Sequence, residues 1–219
     1  MSTATPPAAA APSHGRRTRR VSGEEREQAI LATLETLLEE RALGEISVDD
    51  LARGAGISRP TFYFYFASKE AVLLSLLDRV VRQGRQERDR AREPQGPLDA
   101  AARWRLGVES FLATFTAHRA VTLAVAEAAA GSAEVRALWT GVMGVWVEET
   151  AAAIESERAR GAARDGLAAR DLATALVSMN EQVVHRSLSG QQPAVDPAAV
   201  TDLLVTIWLR AIYSDEGTG

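Results

Sequence analysis

Residues 51–66 read LARGAGISRPTFYFYF, and the glycines, serine and proline among them decide how the chain folds. Gly54 ends a preceding helix, and Gly56 suits a turn that needs a positive backbone angle. Ser58 offers a hydroxyl to cap the free N–H groups of a new helix, with Pro60 tolerated in its first turn. Ala52 permits a close helix crossing, and Ile57 can plug the corner between the two helices. In the second helix Phe62 and Phe66 are four apart and face the core, which leaves Arg59, Thr61, Tyr63 and Tyr65 on other faces. A short helix, a glycine turn and another short helix is the layout of a helix-turn-helix, whose second element lies in the major groove of DNA. There an arginine can make bidentate contacts to guanine, a threonine methyl can touch thymine, and hydroxyls can reach phosphates. So short a helix cannot bury every face, so the polar-tipped residues are read as outward rather than as core.

Upstream, Ile30, Leu31, Leu34, Leu37 and Leu38 recur at spacings of three and four, which predicts an amphipathic helix from Gly23. Ser47 with Asp50 three residues on predicts a capped short helix that turns Leu51 and Ala52 inward. Downstream, Ser68 restarts the chain into a long helix through Val72, Leu73, Leu76, Leu77, Val80 and Val81, expected to end before Pro94. Beyond Glu93-Pro94-Gln95-Gly96-Pro97 the composition shifts to Ala and Trp on long helical periods, and the domain boundary is placed there. Stripes follow at Trp104, Val108, Phe111 and Phe115, then at Leu138, Trp139, Val142 and Trp146 on a helix capped by Ser132 and running to about Gly161. Leu172, Leu176, Met179, Val183 and Val184 make a third, and Leu203, Leu204, Ile207, Trp208 and Ile212 a fourth. Residues 161–170 and 190–197 read as loops. There is no strand signal and no internal repeat, so the expected fold class is all-α.

The 219 residues are 46% hydrophobic and 25% charged, an ordinary globular balance with material for a sizeable core. Cysteine is absent, which removes disulfides, thiolate metal sites and a cysteine nucleophile. No apolar run approaches the ~18 residues of a membrane span and the N-terminus lacks the apolar core of a signal peptide, so a cytoplasmic protein with no membrane partner is expected. A net charge of -4 hides a local asymmetry: Arg16, Arg17, Arg19 and Arg20 precede the first acid, Glu24. Residues 1–22 carry almost no large apolar side chains and are read as a disordered basic arm, either a solvated tail or a DNA-contacting one. With only His14, His118 and His185 available, a histidine-based triad is poorly supplied. The adjacent acids Asp49-Asp50 and Glu148-Glu149 diverge on a helix rather than converge on a metal. No catalytic residue, metal or cofactor is therefore expected. The rival to a DNA-binding reading is a helical small-molecule-binding protein without DNA function.

Gly56-Ile57-Ser58-Arg59-Pro60-Thr61-Phe62-Tyr63-Phe64-Tyr65-Phe66, followed by Ser68-Lys69-Glu70-Ala71, resembles the signature of the TetR family of one-component transcriptional regulators. The resemblance runs from Glu24 to Asp78 without a gap. It implies a repressor in which the residues matching Ser58, Thr61, Tyr63 and Tyr65 contact double-stranded operator DNA. The residue matching Lys69 would grip phosphate from the start of the next helix, where terminal N–H groups favour phosphate anyway. The likeness extends to one branch of the family through residues 46–51 and 77–81, the Trp104, Phe111 and Phe115 stripe, residues 172–176 and Met179-Asn180-Glu181. That branch has an apolar ligand tunnel between its C-terminal helices, and the resemblance implies that Trp104, Phe111, Phe115, Trp139, Met143, Trp146, Asn180 and Trp208 line it. Periodicity alone would read the same stripes as packed core.

Asn180 is an amide in an otherwise apolar stripe, where leaving it unpaired would cost roughly 1 to 3 kcal/mol. Its partner is either an internal hydrogen bond or a ligand carbonyl. Val177 and His185 stand where the branch leads one to expect an amide and an aromatic, and Glu149 replaces an expected aromatic. The resemblance further implies that a small apolar ligand releases the DNA and that the controlled gene is a neighbouring monooxygenase gene. Broad apolar faces on the last two helices, Val184 and Leu188 with Leu204, Ile207 and Ala211, are expected to pair two copies into a homodimer. The expected organisation is the basic arm (1–22), a helix-turn-helix domain (23–68), a linking helix (69–93) and a ligand-binding and dimerisation domain (94–219).

Overall fold

The computed structural model describes residues 22–91 and 99–213. Ser22, the last residue of the basic arm, is the N-cap of the first helix, while residues 1–21 of the arm and the expected boundary at Glu93 to Pro97 lie outside the described residues. Among these the chain forms nine α-helices and no strand: α1 (Gly23–Leu38), α2 (Val48–Gly54), α3 (Arg59–Tyr65), α4 (Lys69–Ala91), α5 (Ala100–Thr116), α6 (Arg119–Gly131), α7 (Ala133–Ala159), α8 (Ala169–Ser189) and α9 (Val200–Tyr213). A single 3-10 turn, Leu43–Glu45, bridges α1 and α2.

Capping fixes where these helices begin. Ser22 with Glu25 and Ser47 with Asp50 form reciprocal capping boxes at α1 and α2, each satisfying two N–H groups that a helix start leaves open. Single hydroxyl or carboxylate caps serve α3 (Ser58), α5 (Asp99) and α7 (Ser132), and the Ser68 hydroxyl accepts from the Ala71 N–H at the start of α4. Between α2 and α3, Gly56 takes φ +66°. Its N–H reaches the Arg53 carbonyl at 3.1 Å while the Ile57 N–H reaches that of Ala52 at 2.9 Å. This pair of bonds closes the α2 C-terminus in a Schellman turn, which a residue with a Cβ would strain. Helix α6 was not anticipated. Its buried face is Ala120, Val121, Ala124 and Val125 in a run of alanines, and alanines on both faces blur the apolar–polar contrast that reveals a helical period.

One continuous apolar cluster runs through the molecule. It begins with Ile30, Leu34, Leu51 and Phe62 of the first three helices, continues through Val72, Leu73, Leu76 and Leu77 of α4, and ends in Phe115, Ile154, Leu204 and Trp208. Helix α4 packs against α1, α5, α6 and α7 and so touches both ends of the structure. It comes close to α5 because Gly84 faces Thr114: a Cβ there would lie 2.3 Å from the threonine Oγ1. A polar tie joins the same region. Glu35 of α1 pairs with Arg79 of α4 and lies 2.6 Å from Nδ1 of His118, at the start of α6.

The expected dimer face needs correcting. Val184 and Leu204 are buried within the subunit's own core and cannot also serve a partner. On the same two helices Leu203 and Ala211 are exposed, and Leu188 and Ile207 are half-buried.

Candidate functional site

Helix α3 is held by Phe62, fully buried, and by Phe66 just beyond its end, so its remaining residues project from the body. Arg59, Tyr63 and Phe64 are exposed, and Thr61 and Tyr65 are half-buried. The Ser58 hydroxyl is committed to capping: it accepts from the Thr61 N–H at 3.3 Å and lies 2.8 Å from the Thr61 hydroxyl. That bond orients the Thr61 side chain, whose methyl is a group available to a base. Arg59 is pre-oriented, with Nη1 2.7 Å from the Asp49 carboxylate of α2 and its guanidinium carbon 5.8 Å from the centre of the Tyr63 ring. Phe64, 83% exposed, is the large apolar side chain that the sequence reading left without a role. The signal was available: two residues from Phe62 is about 200° around a helix, which is the opposite face.

In the DNA-free chain Lys69 is tied to the head domain's own backbone. Its ammonium donates to the carbonyls of Leu43 at 2.7 Å, Ile46 at 2.9 Å and Gly44 at 3.3 Å. An ammonium has three N–H donors, and these three carbonyls use them. The reason is local: the 3-10 turn presents carbonyls that α1 and α2 do not satisfy, and the first side chain of α4 reaches them. Phosphate contact would have to displace these bonds.

In the C-terminal helices two cavities meet at Phe111. The larger, of about 500 Å³, is walled by Trp104, Phe111, Trp146, Val177, Asn180 and Trp208, and Arg88, Arg103, Glu149 and Glu157 also line it. The smaller, of about 280 Å³, is lined by Phe111, Phe115, Trp139, Glu181 and His185 among others. Seven of the eight residues assigned to the tunnel therefore line one cavity or the other. Met143 lines neither; it is buried on α7. Asn180 Oδ1 accepts from the Trp208 indole N–H at 3.1 Å, so the internal partner is the one present. Trp139 donates to Glu181 at 2.6 Å and Trp104 to the Tyr213 hydroxyl at 2.8 Å. The indole N–H of Trp146, by contrast, is buried with no acceptor within the described residues.

The charged lining of the larger cavity was not read from the sequence, because Arg88 lies on α4 and the others on α5 and α7. Arg88 is 7% exposed, makes a forked contact to Glu149 and places its guanidinium carbon 5.2 Å from the Trp146 ring centre. Glu157, also buried, accepts from Arg103 at 2.9 Å and pairs with Arg160. Burial alone would push the Glu157 carboxyl up, but hydrogen bonds from Arg160, Tyr213 and Arg103 outweigh it and hold the group at about 2. Among the described residues no helix is long and apolar enough to cross a membrane.

An exposed aromatic helix on a three-helix head, joined by one long helix to a body hollowed around tryptophans, has the layout of a helix-turn-helix transcriptional regulator. The chain belongs to the TetR family of bacterial regulatory proteins: that family's model matches residues 30–76, and the model "Transcriptional regulator EthR, C-terminal domain" matches residues 104–214. It is 55% identical over 201 residues to the HTH-type transcriptional regulator EthR of Mycobacterium tuberculosis (strain ATCC 25618 / H37Rv), covering 92% of this chain and 93% of the relative. The EthR of Mycolicibacterium smegmatis (strain ATCC 700084 / mc(2)155) is 50% identical over 199 residues, 91% of each chain. Among solved structures, a putative transcriptional regulator from Saccharomonospora viridis in complex with choline shares the fold at TM-score 0.71 and 24% identity, over 86% of this chain and 98% of that one. The relatives are transcriptional regulators rather than enzymes.

Proposed function

We propose that this regulator is a repressor that binds palindromic operator DNA as a homodimer and lets go when a small, mainly apolar molecule enters the cavity between α4, α5, α7, α8 and α9. The observation that carries the reading is the position of α4. Its first residue is clamped to the helix-turn-helix domain, while Arg88 lines the cavity about 28 Å further on, at about 1.5 Å per residue. A ligand that changes how α4 seats on α7 therefore changes where α3 stands. Arg59, the Thr61 methyl, Tyr63 and Phe64 are the groups proposed to read base edges, with Ser58 and Tyr65 set close to the backbone.

Dimerisation is assigned to the outward residues of α8 and α9, Leu188, Leu203, Ile207 and Ala211. Two-fold pairing would offer recognition helices about 34 to 36 Å apart, or a multiple of that spacing. By resemblance the controlled gene is a neighbouring monooxygenase gene, and the protein works in the cytoplasm.

The test is binding of the full-length protein to DNA from its own promoter region, followed by gel shift across a salt series. The expected result is tight binding that weakens steeply as salt rises, since phosphate contacts release counterions. Indifference to that DNA at every salt concentration would leave a ligand-binding protein without DNA function.

A further inference from the structure

The larger cavity is apolar along most of its wall, but its two ion pairs are unlike each other. Glu157 is buried and shared between two partly exposed arginines, Arg103 and Arg160, so the group buried there is an anion, which would repel an anionic head rather than receive it. The Arg88–Glu149 pair is lopsided. Arg88 is 7% exposed and lies against the Trp146 ring, whereas Glu149 is 41% exposed. Glu149 can swing into water with its charge solvated, and Arg88 cannot follow it. Two buried donors beside the pair also lack hydrogen-bond acceptors within the described residues: Arg88 Nε, whose nearest carboxylate is that of Asp89 at 3.5 Å, and the Trp146 indole nitrogen.

Resting on the reading of this cavity as the sensor, we infer that its ligand is an amphiphilic carboxylic acid whose carboxylate replaces Glu149 on Arg88 while its hydrocarbon lies along Trp104, Phe111 and Trp208. The exchange is one carboxylate for another, so the buried guanidinium never loses its counter-charge, the condition that makes breaking a buried pair costly. A carboxylate accepts up to about four hydrogen bonds, so after taking the guanidinium fork it keeps lone pairs that the Trp146 indole N–H can use. An alcohol or amide head brings no charge and leaves Glu149 in place. A cationic head would bring a like charge against the buried Arg88 guanidinium. The cavity, at about 500 Å³, lies within the roughly 300 to 1,000 Å³ of small-molecule sites. Because Arg88 is on α4 and Glu149 on α7, the same exchange unties the two helices, which makes the head group the trigger and the tail the anchor.

The experiment is calorimetric titration of the full-length protein with decanoate, decanol and decyltrimethylammonium, each below its micellar concentration, alongside operator binding. Decanoate should bind at least about tenfold more tightly than decanol, the scale of a charge-assisted hydrogen-bonded pair. Arg88→Met should bring decanoate down to the affinity of decanol. Glu149→Gln should tighten decanoate several-fold, because it weakens the internal competitor; a pair that only supports the fold would not give this sign, and this variant keeps the test alive if Arg88→Met fails to fold. Equal affinity for decanoate and decanol, preference for the ammonium, or weaker decanoate binding in Glu149→Gln would overturn the inference. If decanol releases operator as well as decanoate does at equal affinity, the inference fails and the sensor reading stands. If the carboxylate preference and its Glu149→Gln enhancement hold but operator binding never changes, the ligand assignment stands and the sensor reading falls.

Discussion

Single residues in the head domain carry separable jobs. Arg59 is held by Asp49 and Tyr63 in the free protein, so DNA inherits an oriented guanidinium rather than a floppy one. Arg59→Ala and Thr61→Ala should each relax base preference by roughly 1 to 3 kcal/mol at the affected position. Lys69→Met should act otherwise. It strips a charged donor from three carbonyls, each such bond being worth about 1.5 to 3 kcal/mol, so urea denaturation should show a clear loss of stability. The slope of log affinity against log salt should stay unchanged; a fall of about 0.9 would restore Lys69 to the phosphate role. The buried Phe62 and Phe66 and the exposed Arg59 and Tyr63 were legible in residues 51–66 because turn chemistry and a four-residue aromatic spacing fix the faces. The Lys69 staple was not, since nothing in the sequence says that the Leu43–Glu45 turn folds back beneath the start of α4.

Also at this scale, Glu157 has a folded value of about 2 against 4.5 for an ordinary carboxyl. Its folded pKa is depressed, so its contribution is fully present above about 4.5 and is lost as pH falls toward 2. The difference in urea midpoint between the wild type and Glu157→Gln should therefore be constant near neutrality and shrink across that acid window. A difference that is flat through the window would remove Glu157 from the ion cluster.

At the scale of elements, packing between α4 and α5 depends on the absence of a side chain. Ala is favoured over Gly by about 1 kcal/mol inside a helix, yet Gly84→Ala would drive its methyl into Thr114, an overpacking that costs typically 1 to 3 kcal/mol. The expected balance is a net loss of about 1 kcal/mol, with Gly84→Ala and Thr114→Ala partly compensating in a double-mutant cycle. Strict additivity would mean that α4 and α5 do not meet there. Apolar periodicity and turn chemistry together gave the existence of eight helices and the caps Ser47, Ser58, Ser68 and Ser132, but not Ser22 or Asp99. They could not give α6, nor could they rank Val184 and Leu204 as core rather than interface, since a one-dimensional stripe does not say which neighbour covers it.

For the whole molecule, the account joins two sites through one helix and assigns assembly to α8 and α9. Leu203→Glu should then give a folded monomer by analytical ultracentrifugation with a large loss of operator affinity; an unchanged dimer would move the interface elsewhere. Four aromatic positions of the larger cavity, Trp104, Phe111, Trp146 and Trp208, were legible because the resemblance reached past the head domain, whereas its charged residues come from α4, α5 and α7 and have no linear signature. Coupling is reciprocal: if ligand weakens operator binding, operator weakens ligand binding by the same factor. All four tryptophans, Trp104, Trp139, Trp146 and Trp208, lie in the C-terminal helices, so ligand binding can be followed by fluorescence with DNA present. The most direct measurement is the affinity for decanoate of the free protein and of the operator-bound protein. The account predicts weaker ligand binding to the complex by about 5- to 150-fold, matched by an equal loss of operator affinity for the ligand-saturated protein. Identical ligand affinity with and without operator would contradict it.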